Sequence, residues 1–292
     1  LQAEGNMRTP MIAQVLGALV NIVLDPLLIF GLWGLPRMGI AGAAAATVAG
    51  QIVAAAIVFP GGCRRSPKAA VYPHYVRKIF HMGLPNMLMQ SAYTFYILGL
   101  NLVLATFSDA AVTALGLYYK WQTFFFIPLG AMQTCIVPVI SFNYAARNLE
   151  RCRKTLTEAL IFGMALMFIG TLCFVFIPVP MLHVFTHDEA VISICRVSFP
   201  IQGISFLPLV SSLTFPVFFQ AVGASLKSSA LTVIRTVVLF VPLGWLFSRF
   251  GLNYFWLTFP VTEVITATVG AVFYRQFLSM TYEQTLRRSI PT

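Results

Sequence analysis

Apolar residues in this chain gather into eight long runs separated by short polar breaks: approximately Met11 to Leu32, Gly39 to Phe59, Ile79 to Phe107, Ala110 to Ile140, Leu156 to Ile177, Ile192 to Phe219, Ala230 to Phe247 and Leu252 to Phe273. Each is close to or above the roughly 20 residues that carry an α-helix across a hydrocarbon core about 30 Å thick. The runs are continuous rather than alternating, and far longer than the strands of roughly ten residues that build an outer-membrane barrel. The pattern therefore predicts an all-α polytopic membrane protein with eight spans.

Composition agrees with that pattern. Of 292 residues 58% are hydrophobic and only 10% charged, with a mean hydropathy of +0.82. Average soluble domains carry about 25% charged residues, and this chain has too few to cover one apolar core. Soluble enzymes and nucleic-acid binders are excluded. The net charge of +10 is better explained by topology, because the cations fall in alternate breaks. Arg64, Arg65, Lys68, Arg77 and Lys78 share one side with Arg147, Arg151, Arg153, Lys154, Lys227, Arg275, Arg287 and Arg288. The opposite loops hold only Arg37, Arg196 and Arg249, beside Asp109, Asp188 and Glu189. The basic side is expected to be cytoplasmic, with both ends of the chain on it and anionic lipid as its partner. Cys63, Cys135, Cys152, Cys173 and Cys195 form no CxxC pair, so neither a disulfide framework nor a zinc site is expected.

An internal repeat bears on organisation. Gln2-Ala3-Glu4-Gly5 recurs as Gln220-Ala221-Val222-Gly223. Each copy leads to a Pro-Leu pair, Pro26-Leu27 and Pro242-Leu243, and then to a glycine opening the next span, Gly39-Ile40 and Gly251-Leu252. The last two spans thus pair with the first two. The last six form a complete unit, and the twin unit keeps only its final two. The expected parent has about 430 residues and twelve spans, four of them preceding Leu1, in two parallel repeats. The expected divisions are 1–60 for the end of the first lobe, 61–78 for an inter-lobe cytoplasmic loop, 79–275 for the six-helix second lobe and 276–292 for a cytoplasmic tail.

The run Gln2-Ala3-Glu4-Gly5-Asn6-Met7-Arg8, the run Asn21-Ile22-Val23-Leu24-Asp25-Pro26-Leu27-Leu28-Ile29-Phe30 and the run Gly39-Ile40-Ala41-Gly42-Ala43-Ala44-Ala45-Ala46-Thr47 resemble the fifth and sixth helices of the multidrug and toxic compound extrusion (MATE) family. Ser141-Phe142-Asn143-Tyr144-Ala145-Ala146-Arg147-Asn148 with Arg151 resembles the loop after the family's eighth helix, and Phe219-Gln220-Ala221-Val222-Gly223 with Arg235 and Pro242 adds to the likeness. The resemblance implies a twelve-helix antiporter of two six-helix lobes, exporting cationic or amphipathic drugs in exchange for Na⁺ or H⁺. The chain departs from the pattern at Ala145, where the loop usually has glycine, and at Gln90, where one branch has a carboxylate.

Asp25 is the leading candidate for chemistry, since a carboxylate deep in an apolar span is costly and persists where it meets a cation, a proton or a polar cavity. Asn21 lies one turn earlier on the same face, and Pro26 deprives the Ile22 carbonyl of its helical donor. By resemblance, Asn21 and Asp25 with Thr47 belong to the first lobe's cation-coupling network. The other reading of Asn21 and Asp25 is that they cap or join helices.

In the second lobe, Lys120 and Glu263 lie well inside spans and Arg235 lies near a span end, as substrate contacts or as partners in an ion pair. Gln90, Tyr93, Gln122, Gln202 and Gln220 are candidates for the lining of a substrate cavity, along with Asn143. Pro200, Pro208 and Pro216 predict a bent or interrupted helix. His183 and His187, four apart beside Asp188, have the spacing of metal ligands but form too short a motif for a metal site to be expected. No P-loop, nucleophile elbow or HExxH motif is present, so neither ATP hydrolysis nor another enzyme activity is expected, and no cofactor. A lipid-linked saccharide flippase is the alternative, disfavoured because Lys120 and Arg235 are almost the only cations within the spans.

Overall fold

The computed structural model describes residues 1, 6, 8–34, 36–63 and 72–289, except the side chains of 78, 81–86, 88–90, 92 and 281–289. The described residues are mostly helical, with no strand among them. By compactness they separate into two units, Leu1–Arg77 and Lys78–Thr292.

The first unit is a helical hairpin of α1 (Arg8–Phe30) and α2 (Ile40–Gly62). Asn6 opens α1, its Oδ1 accepting from the Thr9 amide at 3.2 Å, which satisfies one of the free amides of a first helical turn. At the other end, the Leu28 and Ile29 carbonyls accept from the Met38 and Gly39 amides, so the loop supplies donors that the helix end lacks. The helices meet along a stripe of small residues. Ala13 and Gly17 are buried on α1, and Gly42, Ala46 and Gly50, spaced four apart, are buried on α2. Helices in lipid gain little from the hydrophobic effect and associate through close packing, which such residues permit. The outward faces stay apolar, with Ile22, Val23 and Ile52 more than half exposed.

The second unit comprises α3 (Tyr72–Ala105), α4 (Asp109–Ala145), α5 (Leu149–Phe176), the short α6 (Pro178–His183), α7 (Glu189–Ile204), α8 (Phe206–Ala221), α9 (Ser225–Val233), a π-helical stretch (Ile234–Phe240), α10 (Val241–Ser248), α11 (Leu252–Phe255) and α12 (Thr258–Ser289). Among the described residues six helical segments are long and apolar enough to cross a membrane, and the bent pair α7/α8 makes a seventh. The eighth predicted span coincides with α3, whose part Tyr93–Ala105 is apolar. The protein is a multi-pass membrane protein.

Two differences from the expected divisions stand out. Residues 276–289 continue α12 as helix, where a separate tail was expected. Tyr72 to 78 already belong to α3, while 64–71 of the expected loop lie outside the described residues.

The core of this unit is aromatic. Phe174 stacks on Phe199 with ring centres 4.8 Å apart and meets Phe206 edge-on at 4.8 Å, while Tyr118 meets Phe259 at 5.0 Å. The break between α7 and α8 bends the chain by 49° at Ser205, as the prolines predict. Pro208 has no amide to give the Ile204 carbonyl. Just before the bend the Gly203 carbonyl accepts from Thr171 Oγ1 of α5 at 2.9 Å. A Cβ at Gly203 would come within 2.6 Å of the Phe174 Cβ, so only glycine lets α5 approach closely enough for that bond.

The motif after α4 closes the helix. The Asn148 amide bonds to the Asn143 carbonyl at 2.8 Å and the Arg147 amide to the Tyr144 carbonyl at 3.0 Å, the paired bonds of a Schellman cap. The residue in the left-handed conformation is Arg147, with φ +59°, a position that glycine usually fills. The same pairing ends α8, where Gly223 takes the left-handed position with φ +77°. Ser141 Oγ donates to the Ala221 carbonyl at 2.8 Å, tying the two family-like motifs together.

Candidate functional site

In the first unit the three expected coupling residues sit along one helix crossing. A Cβ on Gly50 would lie 2.6 Å from the Gly17 carbonyl oxygen, and one on Gly17 would lie 2.8 Å from that of Gly50. That contact brings Asn21 of α1 to Thr47 of α2, with Nδ2 donating to Oγ1 at 3.5 Å. Thr47 Oγ1 in turn donates to the Ala43 carbonyl at 2.9 Å. Beside them runs an open groove of about 370 Å³ lined by Gln14, Gly17, Ala18, Asn21, Thr47, Gly50, Gln51 and Ala54. Asp25, one turn beyond Asn21, is half-buried, and its Oδ1 is sequestered from solvent without a hydrogen-bond partner. Pro26 follows inside α1. Gln14 and Gln51 were not singled out in the sequence. Spacing could have found them, since Gln14 is two turns before Asn21 and Gln51 one turn after Thr47.

In the second unit Arg235 and Glu263 form a buried pair. Arg235 Nε lies 3.0 Å from Glu263 Oε1 and 3.1 Å from Oε2, and Nη2 lies 2.6 Å from Oε1. Ser212 Oγ donates to Oε2. Arg235 is 6% exposed and Glu263 1%. The guanidinium also lies 5.1 Å from the centre of the Phe240 ring, on which Tyr96 stacks at 4.8 Å. Arg235 was expected near a span end. It lies instead ten residues inside a continuous helical span, Ser225–Ser248, in the π-helical stretch.

Sequence profile and relatives place this architecture. The MatE profile matches residues 85–246, more than half of the chain. The chain belongs to the MatE family. It is 26% identical over 273 residues to a protein named FAD transporter from Shewanella oneidensis, covering 91% of this chain and 60% of that one. It is 24% identical to the probable multidrug resistance protein NorM of Thermotoga maritima, covering 97% of this chain and 62% of that one. In fold it is similar to the crystal structure of the Vibrio cholerae MATE transporter VcmN in the bent form, with TM-score 0.81, 23% identity and coverage of 95% and 64%. The chain thus spans less than two thirds of the length of these relatives. Members of the family are membrane transporters, not enzymes.

Against that family fold, the expected cavity residues of this chain are dispersed. The side chain of Gln90 lies outside the described residues. Tyr93 is 45% exposed and meets Tyr96 edge-on at 5.1 Å. Lys120 is exposed, with Nζ 5.0 Å from the centre of the Phe185 ring, and does not join Glu263. Gln122 is buried, two residues along α4 from Lys120. Gln202 is fully buried, with both polar side-chain atoms unpartnered. Gln220 is exposed at the end of α8. Glu263 offers no free carboxylate to a cavity, being enclosed by Arg235 and Ser212. Asn143 Nδ2 bonds its own helix, at the Val139 carbonyl. His183 and His187 have ring centres 5.3 Å apart, but α6 ends at His183 and Asp188 caps α7 through the Ala190 amide. Ser212 was missed, and at 51 residues from Glu263 no local spacing signals it.

Proposed function

We propose that this chain is part of a secondary antiporter that exports cationic or amphipathic drugs in exchange for Na⁺ or H⁺ by alternating access. The observation that carries the coupling half of this reading is the sequestered, unpartnered Oδ1 of Asp25, one turn from the Asn21–Thr47 contact. A buried carboxylate oxygen without a donor is costly. A proton on the carboxyl or a small hard cation removes that cost, and oxygen ligands from Asn21, Asp25 and Thr47, with the Ile22 carbonyl freed by Pro26, suit either. Loading Asp25 changes what the first lobe binds, and the lobes alternate between inward-open and outward-open states. The family and the relative named as a multidrug resistance protein support the drug-export half.

In this reading the first unit is the end of the first lobe, whose four earlier helices are supplied by further chain, and 79–275 is the second lobe. The protein resides in the plasma (inner) membrane with the basic loops and both ends of this chain on the cytoplasmic side. Of the expected cavity residues, Gln90 and the exposed Tyr93, both on α3, are the ones this reading assigns to the substrate cavity of the whole carrier.

The test is dye efflux from vesicles containing the full-length carrier, with Na⁺ and H⁺ gradients imposed separately. Gradient-driven efflux inhibited by other organic cations supports the proposal. Inhibition by FAD alone would assign the carrier an anionic cargo, like that in the name of the Shewanella relative. Inhibition by lipid-linked saccharides alone would assign a flippase, and either result overturns the drug-export reading.

A further inference from the structure

Within the second unit, α8 and α12 leave an apolar trough between them that ends in a free cation. A Cβ on Gly270 would lie 2.6 Å from a ring carbon of Phe215, so the ring beds directly on α12 and is only 7% exposed. Beside it runs an open groove of about 390 Å³, walled on α12 by Ala267, Ala271 and Val272. Thr268 also lines the groove, but its hydroxyl is already used on the Val264 carbonyl at 2.8 Å. Arg275 stands at the end of the trough. It is exposed and makes no ion pair among the described residues. One turn further on, Ser279 lines a second opening of about 430 Å³ with Glu150 and Arg153 of α5.

We propose that the trough and its charged mouth bind one phospholipid of net negative charge, of the phosphatidylglycerol type. An acyl chain lies along α12 from Ala267 to Arg275, and the phosphodiester sits at Arg275. Length agrees: those eight residues rise about 12 Å, against roughly 15 Å for the hydrocarbon of one leaflet. Position agrees as well, because Val264, Ile265 and Val272 on the same helix are exposed apolar residues, and Arg275 lies near the end of its span, where a guanidinium reaches the headgroups. Charge selects the lipid. Arg275 and Arg153 against Glu150 leave one positive charge, which a net-anionic headgroup neutralises and a zwitterionic one does not. Organic cations, the cargo proposed above, have a suitable apolar body but the wrong sign for Arg275. Basic loops alone draw anionic lipid to a surface without fixing its place, whereas a trough of one chain's length fixes it at a single site. The inference does not depend on what the carrier transports.

The experiment is native mass spectrometry of the full-length protein titrated with phosphatidylglycerol or phosphatidylethanolamine. The wild type is expected to retain one phosphatidylglycerol in preference to phosphatidylethanolamine. Arg275→Gln weakens that binding about fivefold, the effect of one cation facing an anionic lipid, while Arg275→Lys keeps most of it. Ala271→Phe fills the trough and weakens binding without changing the charge. Lys154→Gln removes another cation of the basic side, one that already pairs with Glu158 at 3.9 Å, and leaves retention unchanged. A spin label at Val272→Cys, in vesicles of the two lipids, is expected to be accessible to oxygen dissolved in the bilayer. Equal retention of the two lipids, unchanged retention in Arg275→Gln or Ala271→Phe, or an equal loss in Lys154→Gln overturns the proposal. So does a label at 272 shielded from oxygen, which would show that protein covers the trough.

Discussion

Gly50→Ala probes the link between helix packing and the candidate coupling site. The added methyl would stand 2.6 Å from the Gly17 carbonyl oxygen and 3.2 Å from the Asn21 Cβ. The nearest obstacle is backbone, so it cannot swing aside. Restoring ordinary contact of about 3.4 Å requires the crossing to open by about 0.8 Å. The Asn21–Thr47 contact is already at 3.5 Å, so the same shift carries it beyond hydrogen-bonding distance. Overpacking of this kind costs about 1–3 kcal/mol. Two measurements on the full-length protein follow: the melting midpoint, expected to fall by several degrees, and ion-coupled dye efflux, expected to fall several-fold at equal protein level. Gly116→Ala is the control, because nothing lies within 4 Å of a Cβ there, and it should leave both unchanged or slightly raise stability. A Gly50→Ala carrier that melts and couples like the wild type would refute the claim that this crossing positions Asn21 against Thr47.

Two further outcomes follow from backbone geometry. Arg147 holds φ +59° in a cap position where a side chain costs about 1 kcal/mol relative to glycine, so Arg147→Gly should raise the melting midpoint, and a lowered midpoint would contradict the assignment of strain. Pro208→Ala restores an amide donor to the Ile204 carbonyl, so the 49° bend between α7 and α8 should lessen, which a distance measurement between spin labels on the two helices would detect. An unchanged bend would show that packing around Gly203, not the proline, sets it.

The fold was legible because lipid imposes a simple rule: apolar length predicts spans, and all eight predicted runs coincide with helix. The bend was legible for the same reason, since proline acts through its own missing amide. Asn21 and Asp25 were readable as candidates because a carboxylate and an amide one turn apart in an apolar run are conspicuous, whereas Thr47 was indicated by the family resemblance alone. Side-chain partnerships across the second unit were not. Arg235 lay near the end of its apolar run, Ala230 to Phe247, yet the helix begins earlier at Ser225, where serines and Lys227 lower the local hydropathy. Its position in the middle of the span was thereby hidden. Ser212 reaches Glu263 across the packing of α8 on α12, a long-range contact that no local pattern announces. The polar residues Lys120, Gln122, Gln202 and Gln220 read as one cavity set, but helical phase and chain ends send them to different surroundings.

The most direct test of the account is Asp25→Asn in the full-length carrier, with dye efflux from vesicles measured under Na⁺ and H⁺ gradients in turn. Asparagine keeps the shape but neither carries the charge nor releases a proton. The expected result is wild-type protein level with gradient-driven efflux abolished. Undiminished coupled efflux in the variant would contradict the assignment of Asp25 as the coupling carboxylate.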